Sequence, residues 1–316
     1  MARGGICGSD LHYYSHGGVG AIRVREPIIL GHEASGYVEA AGADTDLAVG
    51  TLVAVDPSQP CGTCDRCLAD IPRHCRSMRF RGSAMFLPHE QGLYRTHLTV
   101  PARQCHAFPE GTDPGAAACT EPLAVSLHAL SRVPGGVAGK KVLVTGAGPI
   151  GLLTAAAAKA AGARSVAITD VNDAPLSIAS RMGVDIAYCV SRQAGWRASL
   201  GEVDVALECS AAASAIADAI EALRPCGVLV EVGVAGSTPL PVGRLVAKEI
   251  DLRGSHRFDR EFPRAAAMIS EKSVDVTPMI TGVWPLAKVG QALEAALDRS
   301  RNSKVQIDLR PDAGSS

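Results

Sequence analysis

The stretch Lys141-Val-Leu-Val-Thr-Gly-Ala-Gly-Pro-Ile-Gly151 decides the fold: an apolar strand runs into glycines spaced G-x-G-x-x-G, and an Ala-rich helical run to Ala161 follows, closed by Gly162. Each glycine has a separate task in such a turn. Gly146 permits the sharp reversal, Gly148 with Pro149 and Ile150 lets the backbone at the helix start approach a pyrophosphate, and Gly151 allows helix and strand to pack closely. The next strand, Val166-Ala-Ile-Thr, ends at Asp170, 19 residues beyond Gly151, where a carboxylate binds the hydroxyls of an adenosine ribose. A 2′-phosphate there would meet a like charge, with a repulsion of roughly 4 kcal/mol at about 4 Å and an effective dielectric near 20. The expected cofactor is NAD rather than NADP.

Outward from this unit the same texture continues. Short apolar runs at Ile186-Ala-Tyr-Cys-Val, Val203-Asp-Val-Ala-Leu, Val228-Leu-Val-Glu-Val and Ile250-Asp-Leu-Arg complete a set of six strands. Helical stretches lie between them, one opened by Asn172 or Asp173 and closed by Gly183. Alternation of this kind builds a doubly wound parallel sheet with helices on both faces, an α/β Rossmann domain expected over residues 126–258. Residues 1–125 read differently. They are rich in Gly, Pro, His and Cys, carry short β-type runs such as Ser35-Gly-Tyr-Val-Glu39 and Thr51-Leu-Val-Ala-Val55, and show no long helical pattern, which predicts a separate β-rich domain. From residue 259 on, helix-like Ala287 to Leu297 and strand-like Val305-Gln-Ile-Asp-Leu309 fit either domain by pattern alone.

Composition sets the outer limits. The chain has 316 residues, 47% of them apolar, enough for about two domains of ordinary size. With 31 basic against 32 acidic residues and a net charge of -1, it lacks the basic footprint of a nucleic-acid or anionic-membrane binder. The uncharged run Val142 to Ala158 contains the turn glycines Gly146, Gly148 and Gly151 with Pro149 and is shorter than the ~20 apolar residues of a spanning helix. Ser9-Asp10 falls where a signal peptide would place its apolar segment, so the expected compartment is the cytoplasm. Its ten cysteines are then kept reduced, and clusters among them point to metal rather than disulfides.

Cys61, Cys64, Cys67 and Cys75 form such a cluster, C-x2-C-x2-C-x7-C in one polar loop. Four thiolates from one loop can enclose a single tetrahedral Zn²⁺; such a site has no open position and supplies folding free energy rather than catalysis. A second constellation is dispersed: Cys7-Gly-Ser9-Asp10-Leu-His12, then Gly31-His32-Glu33, then Glu121-Pro122. Together these segments offer a thiolate, an imidazole and two carboxylates, a donor set able to hold a catalytic Zn²⁺ with one position left for water or substrate.

Through G-x-C-G-S-D-x-H, G-H-E, the four-cysteine loop, the E-P-L segment and the G-x-G-x-x-G turn, the sequence resembles the zinc-dependent medium-chain alcohol and polyol dehydrogenases over essentially its whole length. Gly4 to Tyr14, Glu26 to Ser35 and Met78 to Met85 carry a closer likeness to the sugar-acid and polyol branch. The resemblance implies a GroES-like catalytic domain over 1–125, with residues 259–316 returning to it. It implies Cys7, His32 and Glu33 as ligands of a catalytic zinc, with Glu121 a ligand or a partner of zinc-bound water, and hence two zinc ions per chain. Ser9 then passes the substrate proton toward the ribose, His12 is the base at the outer end of that relay, and Asp10 orients His32. Val232, Gly233 and Arg257 join Gly146, Gly148, Pro149, Ile150, Gly151 and Asp170 on the cofactor. Arg79, Arg81, Arg95 and Arg257 are candidates for binding a substrate carboxylate. The implied reaction is hydride transfer between NAD and a secondary alcohol of a sugar acid or polyol, in a homodimer or homotetramer acting on a small molecule. A sorbitol- or xylitol-type substrate and a non-catalytic NAD-binding homologue are the alternatives left open. Because the family places further strands ahead of its first ligand, while Cys7 follows only six residues here, the N-terminus is expected to be truncated.

Overall fold

A computed structural model describes residues 1–234 and 236–311. Six parallel strands form the sheet built around the glycine turn: β5 (Lys141–Thr145), β6 (Ser165–Asp170), β7 (Ile186–Cys189), β8 (Val203–Glu208), β9 (Leu223–Glu231) and β10 (Asp251–Gly254). Their spatial order is β7-β6-β5-β8-β9-β10. Strand order reverses between β5 and β8, and in such sheets a ligand binds at the carboxyl ends of the strands at that switch point. Val142, Leu143 and Val144 of β5 are fully buried, as a central strand covered on both faces requires. Four helices follow their strands: α3 (Pro149–Ala160), α4 (Asp173–Arg181), α5 (Ala213–Ala222) and α6 (Val242–Lys248).

The other sheet is assembled from both ends of the chain. Its order is β11 (Ile280–Pro285), β12 (Lys304–Asp308), β1 (Arg3–Gly5), β2 (Glu33–Tyr37), β3 (Leu52–Val55), β4 (Cys105–Ala107). All neighbours are antiparallel except β11 and β12. Strand β1 thus lies between β12 and β2, with Gly5 opposite both Gln306 and Glu33. Strand β12 in this way pairs with β1, which leads into Cys7, and lies one strand away from β2, which starts at Glu33. Helix α8 (Val289–Leu297) buries Ala292, Leu293 and Ala296 with Val305 and Ile307 of β12.

Two features depart from the sequence pattern. A nine-residue helix, α1 (Gly8–His16), interrupts the β-rich region. Residues 125 and 126 lie inside a further helix, α2 (Thr120–Ser131), rather than at a break. Helix α2 is nearly all buried, and one apolar cluster runs from Leu52 and Phe108 through Leu123 and Leu127 to Val142, Leu152 and Phe262 of α7 (Glu261–Ser270). The two sheets therefore share a core across α2. Among the described residues no helix is long and apolar enough to cross a membrane.

Candidate active site

Helix α1 places the first donor. Asp10, fully buried, accepts the backbone N–H of Cys7 through Oδ2 at 3.0 Å and that of Gly31 through Oδ1 at 3.1 Å. One carboxylate therefore fixes both the Cys7 turn and the Gly-His-Glu segment. Gly31 has φ +94°, and a Cβ there would lie 2.3 Å from the Tyr94 ring, so only glycine fits. The Tyr94 hydroxyl in turn lies 2.9 Å from Asp10 Oδ2. Asp10 Oδ1 is 3.7 Å from Nδ1 of His32, and the other side of the His32 ring meets Phe80 at a centroid distance of 5.5 Å.

Cys7, His32 and Glu33 each bring one ligand atom into a group lying within 4.8 Å of one another. This thiolate, imidazole and carboxylate set is one that Zn²⁺ accepts, and three protein ligands leave a fourth position open. The surroundings suit a cation. Burial disfavours protonated His32, yet Asp10, Cys7 and Glu121 outweigh it and raise its pKa well above the ordinary value. Glu121 is buried at the start of α2, outside the group of three; burial, assisted by Glu33, pushes its carboxyl up to about 7 against the pull of His32 and Lys304.

Lys304, at the head of β12, is a site residue that the sequence reading missed. Its Nζ, 2% exposed with the rest of the residue, donates to Glu33 Oε2 at 2.6 Å, Oε1 at 2.8 Å and the Ile6 carbonyl at 3.2 Å. A lysine opening the run Val305 to Leu309 reads as a solvated strand end; only the strand pairing, which places β12 beside β1, reveals it.

The four-cysteine loop is equally convergent. Sγ separations are 3.6 Å for Cys64–Cys67, 4.0 Å for Cys64–Cys75 and 4.0 Å for Cys61–Cys67. Tetrahedral Zn–S bonds of about 2.3 Å imply separations of roughly 3.8 Å, so the four sulfurs match a zinc tetrahedron. Backbone N–H groups of Thr63 and Cys64 lower the pKa of Cys61, and those of Arg76 and Cys67 lower that of Cys64.

A cleft of about 410 Å³ joins the buried donors to the glycine turn: Cys7, Glu33 and Lys304 line one end, and Gly146, Gly148, Pro149, Ile150 and Asp170 the other. A Cβ on Gly148 would meet nothing within 4 Å, whereas one on Gly151 would sit 1.8 Å from the Gly146 carbonyl oxygen. Protein packing thus demands glycine at 151, while the space in front of Gly148 is open to a pyrophosphate. Asp170 accepts the N–H groups of Ala147 (2.8 Å) and Asn172 (2.9 Å), which holds its carboxylate at the cleft. Gly151, Val232, Gly233 and Arg257 are not part of the lining.

Arg257 instead lies on the metal side, its guanidinium 4.6 Å above the Phe80 ring. Glu121 and Tyr13 act on its charge, and burial lowers its pKa. Among the described residues it has no hydrogen-bond or ion-pair partner. Arg79 and Arg81 share Glu90, at 2.7 and 3.1 Å, and Arg95 donates to the Gly92 carbonyl. Ser9 is half-buried and His12 exposed, with the His12 ring 5.5 Å from that of His16.

Comparison with known proteins adds to this geometry. Residues 1–110 match an alcohol dehydrogenase GroES-like domain and residues 149–271 a zinc-binding dehydrogenase domain. The chain is 38% identical over 312 residues to L-idonate 5-dehydrogenase (NAD(P)(+)) of Escherichia coli K12, covering 97% of this chain and 90% of that protein. Human sorbitol dehydrogenase is 36% identical over 304 residues, covering 92% and 82%. The crystal structure of the Escherichia coli L-idonate 5-dehydrogenase superimposes with a TM-score of 0.92, covering 97% of this chain and 89% of that one.

Proposed function

We propose a substrate and a division of labour for this chain, which belongs to the zinc-dependent medium-chain alcohol and polyol dehydrogenases: it interconverts L-idonate and 5-keto-gluconate, using NAD, one catalytic zinc and one structural zinc. The observation that carries the reading is that one cleft has metal donors Cys7 and Glu33 at one end and the glycine turn with Asp170 at the other. When bound, zinc supplies Lewis acidity toward a substrate hydroxyl and NAD accepts the hydride. Cys7, His32 and Glu33 would hold the metal, and the buried Glu121 beside them is the further carboxylate the pocket offers. The Asp10 carboxylate faces the His32 ring at 3.7 Å, and Lys304 holds Glu33.

Proton removal falls to α1. Ser9 and His12 are three residues apart on that helix, on one face, the first half-buried beside the cleft residues Cys7 and Gly8 and the second in solvent. In this reading Ser9 takes the proton inside and passes it by way of the cofactor ribose to His12, which delivers it outside. The carboxylate of a sugar acid needs a cation, and Arg257, stacked on Phe80 within the electrostatic reach of Glu121, is a guanidinium without a hydrogen-bond or ion-pair partner among the described residues. Its bidentate donor fork matches a carboxylate.

Initial rates at 340 nm with L-idonate, 5-keto-gluconate, sorbitol and xylitol, each with the NAD and NADP couples, test the assignment. The expected result is highest kcat/KM on the sugar acids with NAD, and an Arg257→Ala loss far larger on L-idonate than on sorbitol. Equal losses on both substrates would remove the carboxylate argument.

A further inference from the structure

Glu208 and Glu231 meet at the carboxyl ends of β8 and β9, and the chemistry above uses neither. They are paired in register, so both side chains leave the same face of the sheet. Glu208 is fully buried. Its Oε1 accepts the N–H of Ser210 at 2.8 Å, that of Ala211 at 3.1 Å and the Thr145 hydroxyl at 3.3 Å, and its Oε2 accepts Ala211 N–H at 3.0 Å. Donors from every side suit an ionised carboxylate.

Glu231 is the reverse. It stands directly opposite Glu208 on the neighbouring strand, and its Oε1 is buried with no hydrogen-bond partner. The Cys209 thiol, next in the chain after Glu208, is pushed up by burial first and then by both carboxyls. Charges on the flanking elements are committed elsewhere: Arg253 of β10 to Asp251, Asp218 of α5 to Arg197, and Arg244 of α6 to Glu221, while Lys248 of α6 donates to main-chain carbonyls. Two adjoining carboxyls without a cation do not both ionise readily; burial and Glu208 push Glu231 up to about 8. At neutral pH one proton therefore satisfies both groups.

The pair supports the wall of the cleft. Cys209, Ser210 and Ala212 line it, and Ala211 between them has φ 62°, a left-handed conformation unfavourable for a side chain with a Cβ. The bonds to Glu208 hold it there. On the β9 side, a Cβ on Gly233 would stand 2.5 Å from Ala211 N and 2.7 Å from Glu208 Oε2, so the loop has no slack in that direction. We propose that Glu208 and Glu231 are positioning residues for the cofactor: the proton they share keeps the 209–212 wall in place, and its loss weakens dinucleotide binding.

The inference rests on the dinucleotide reading of the cleft. The sign follows from a raised carboxyl: the shared proton is held at pH 7 and lost as pH rises through about 8. NADH affinity of the holoenzyme, followed by fluorescence, is expected to weaken about tenfold between pH 7 and 9. Glu231→Gln keeps an uncharged donor beside Glu208 and is expected to bind as wild type does at pH 7 with that slope abolished. An unchanged slope in E231Q overturns the proposal. A measurement on the wild type alone guards against misfolding of the variant: calorimetry at pH 8.5 in two buffers of different ionisation heat is expected to show proton uptake on NADH binding. Absence of uptake overturns the proposal. If NADH fails to bind at every pH, the dinucleotide reading falls with it; pH-independent binding by the wild type overturns only the pair.

Discussion

The two metal-capable clusters solve the same chelation problem in opposite ways. Cys61, Cys64, Cys67 and Cys75 come from a single loop, present four identical donors and range from exposed to buried. Cys7, His32 and Glu33 come from a helix start and a strand start and present three different donors, of which Cys7 and Glu33 line a cleft. The loop closes on itself, so its geometry depends little on the rest of the fold. The cleft site depends on long-range supports: Asp10 ties Cys7 to Gly31, and Lys304, almost at the other end of the chain, neutralises Glu33. A closed thiolate site stabilises; a mixed, open site has room for a reaction.

The contrast yields four ways of breaking it. The largest effect is expected for His32→Ala, which removes a donor of the open site: kcat/KM falls about ten-thousandfold, about 5 kcal/mol of transition-state stabilisation, while the thermal midpoint moves little. Steady-state rates beside a melting curve check both halves. Next comes Lys304→Met, which in the zinc-free protein leaves the Glu33 carboxylate buried without its cation. Denaturant unfolding is expected to show a loss of about 3–5 kcal/mol, and a wild-type midpoint in this variant would contradict the supporting role given to β12.

Cys64→Ser opens the loop site and reverses the pattern of His32→Ala. Its melting point is expected to fall by about 5 °C or more, with kcat per folded molecule retained; inactivation without loss of stability would merge the two clusters into one function. The smallest effect is at the cleft's far end. Asp170→Asn removes the charge facing a 2′-phosphate, and the NAD to NADP preference in kcat/KM is expected to shift by about tenfold toward NADP.

The same contrast explains what could be read from the sequence. The cysteine loop and the glycine turn are local patterns whose spacing alone implies their geometry, and the parallel sheet followed from the alternation of apolar runs around Gly146 to Gly151. The dispersed site became legible only through resemblance, since no spacing rule links Cys7 to His32 or Glu121. Helix α1 escaped notice because its buried positions include Asp10 beside Leu11 and Tyr13, a polar residue where an amphipathic pattern wants an apolar one. Lys304 and the Glu208–Glu231 pair escaped because a charge at a strand end ordinarily points to water. Pairing across β12, β1 and β2, and across β8 and β9, turns those charges inward.

A stepwise removal of zinc tests the division of labour most directly, with zinc per chain, NADH formation from L-idonate and the melting point recorded on the same samples. The account predicts two zinc ions per chain at the start. It further predicts that activity disappears with one of them and thermal stability with the other, the two losses being separable in Cys64→Ser and His32→Ala. Full catalytic velocity after both ions have been stripped would contradict it.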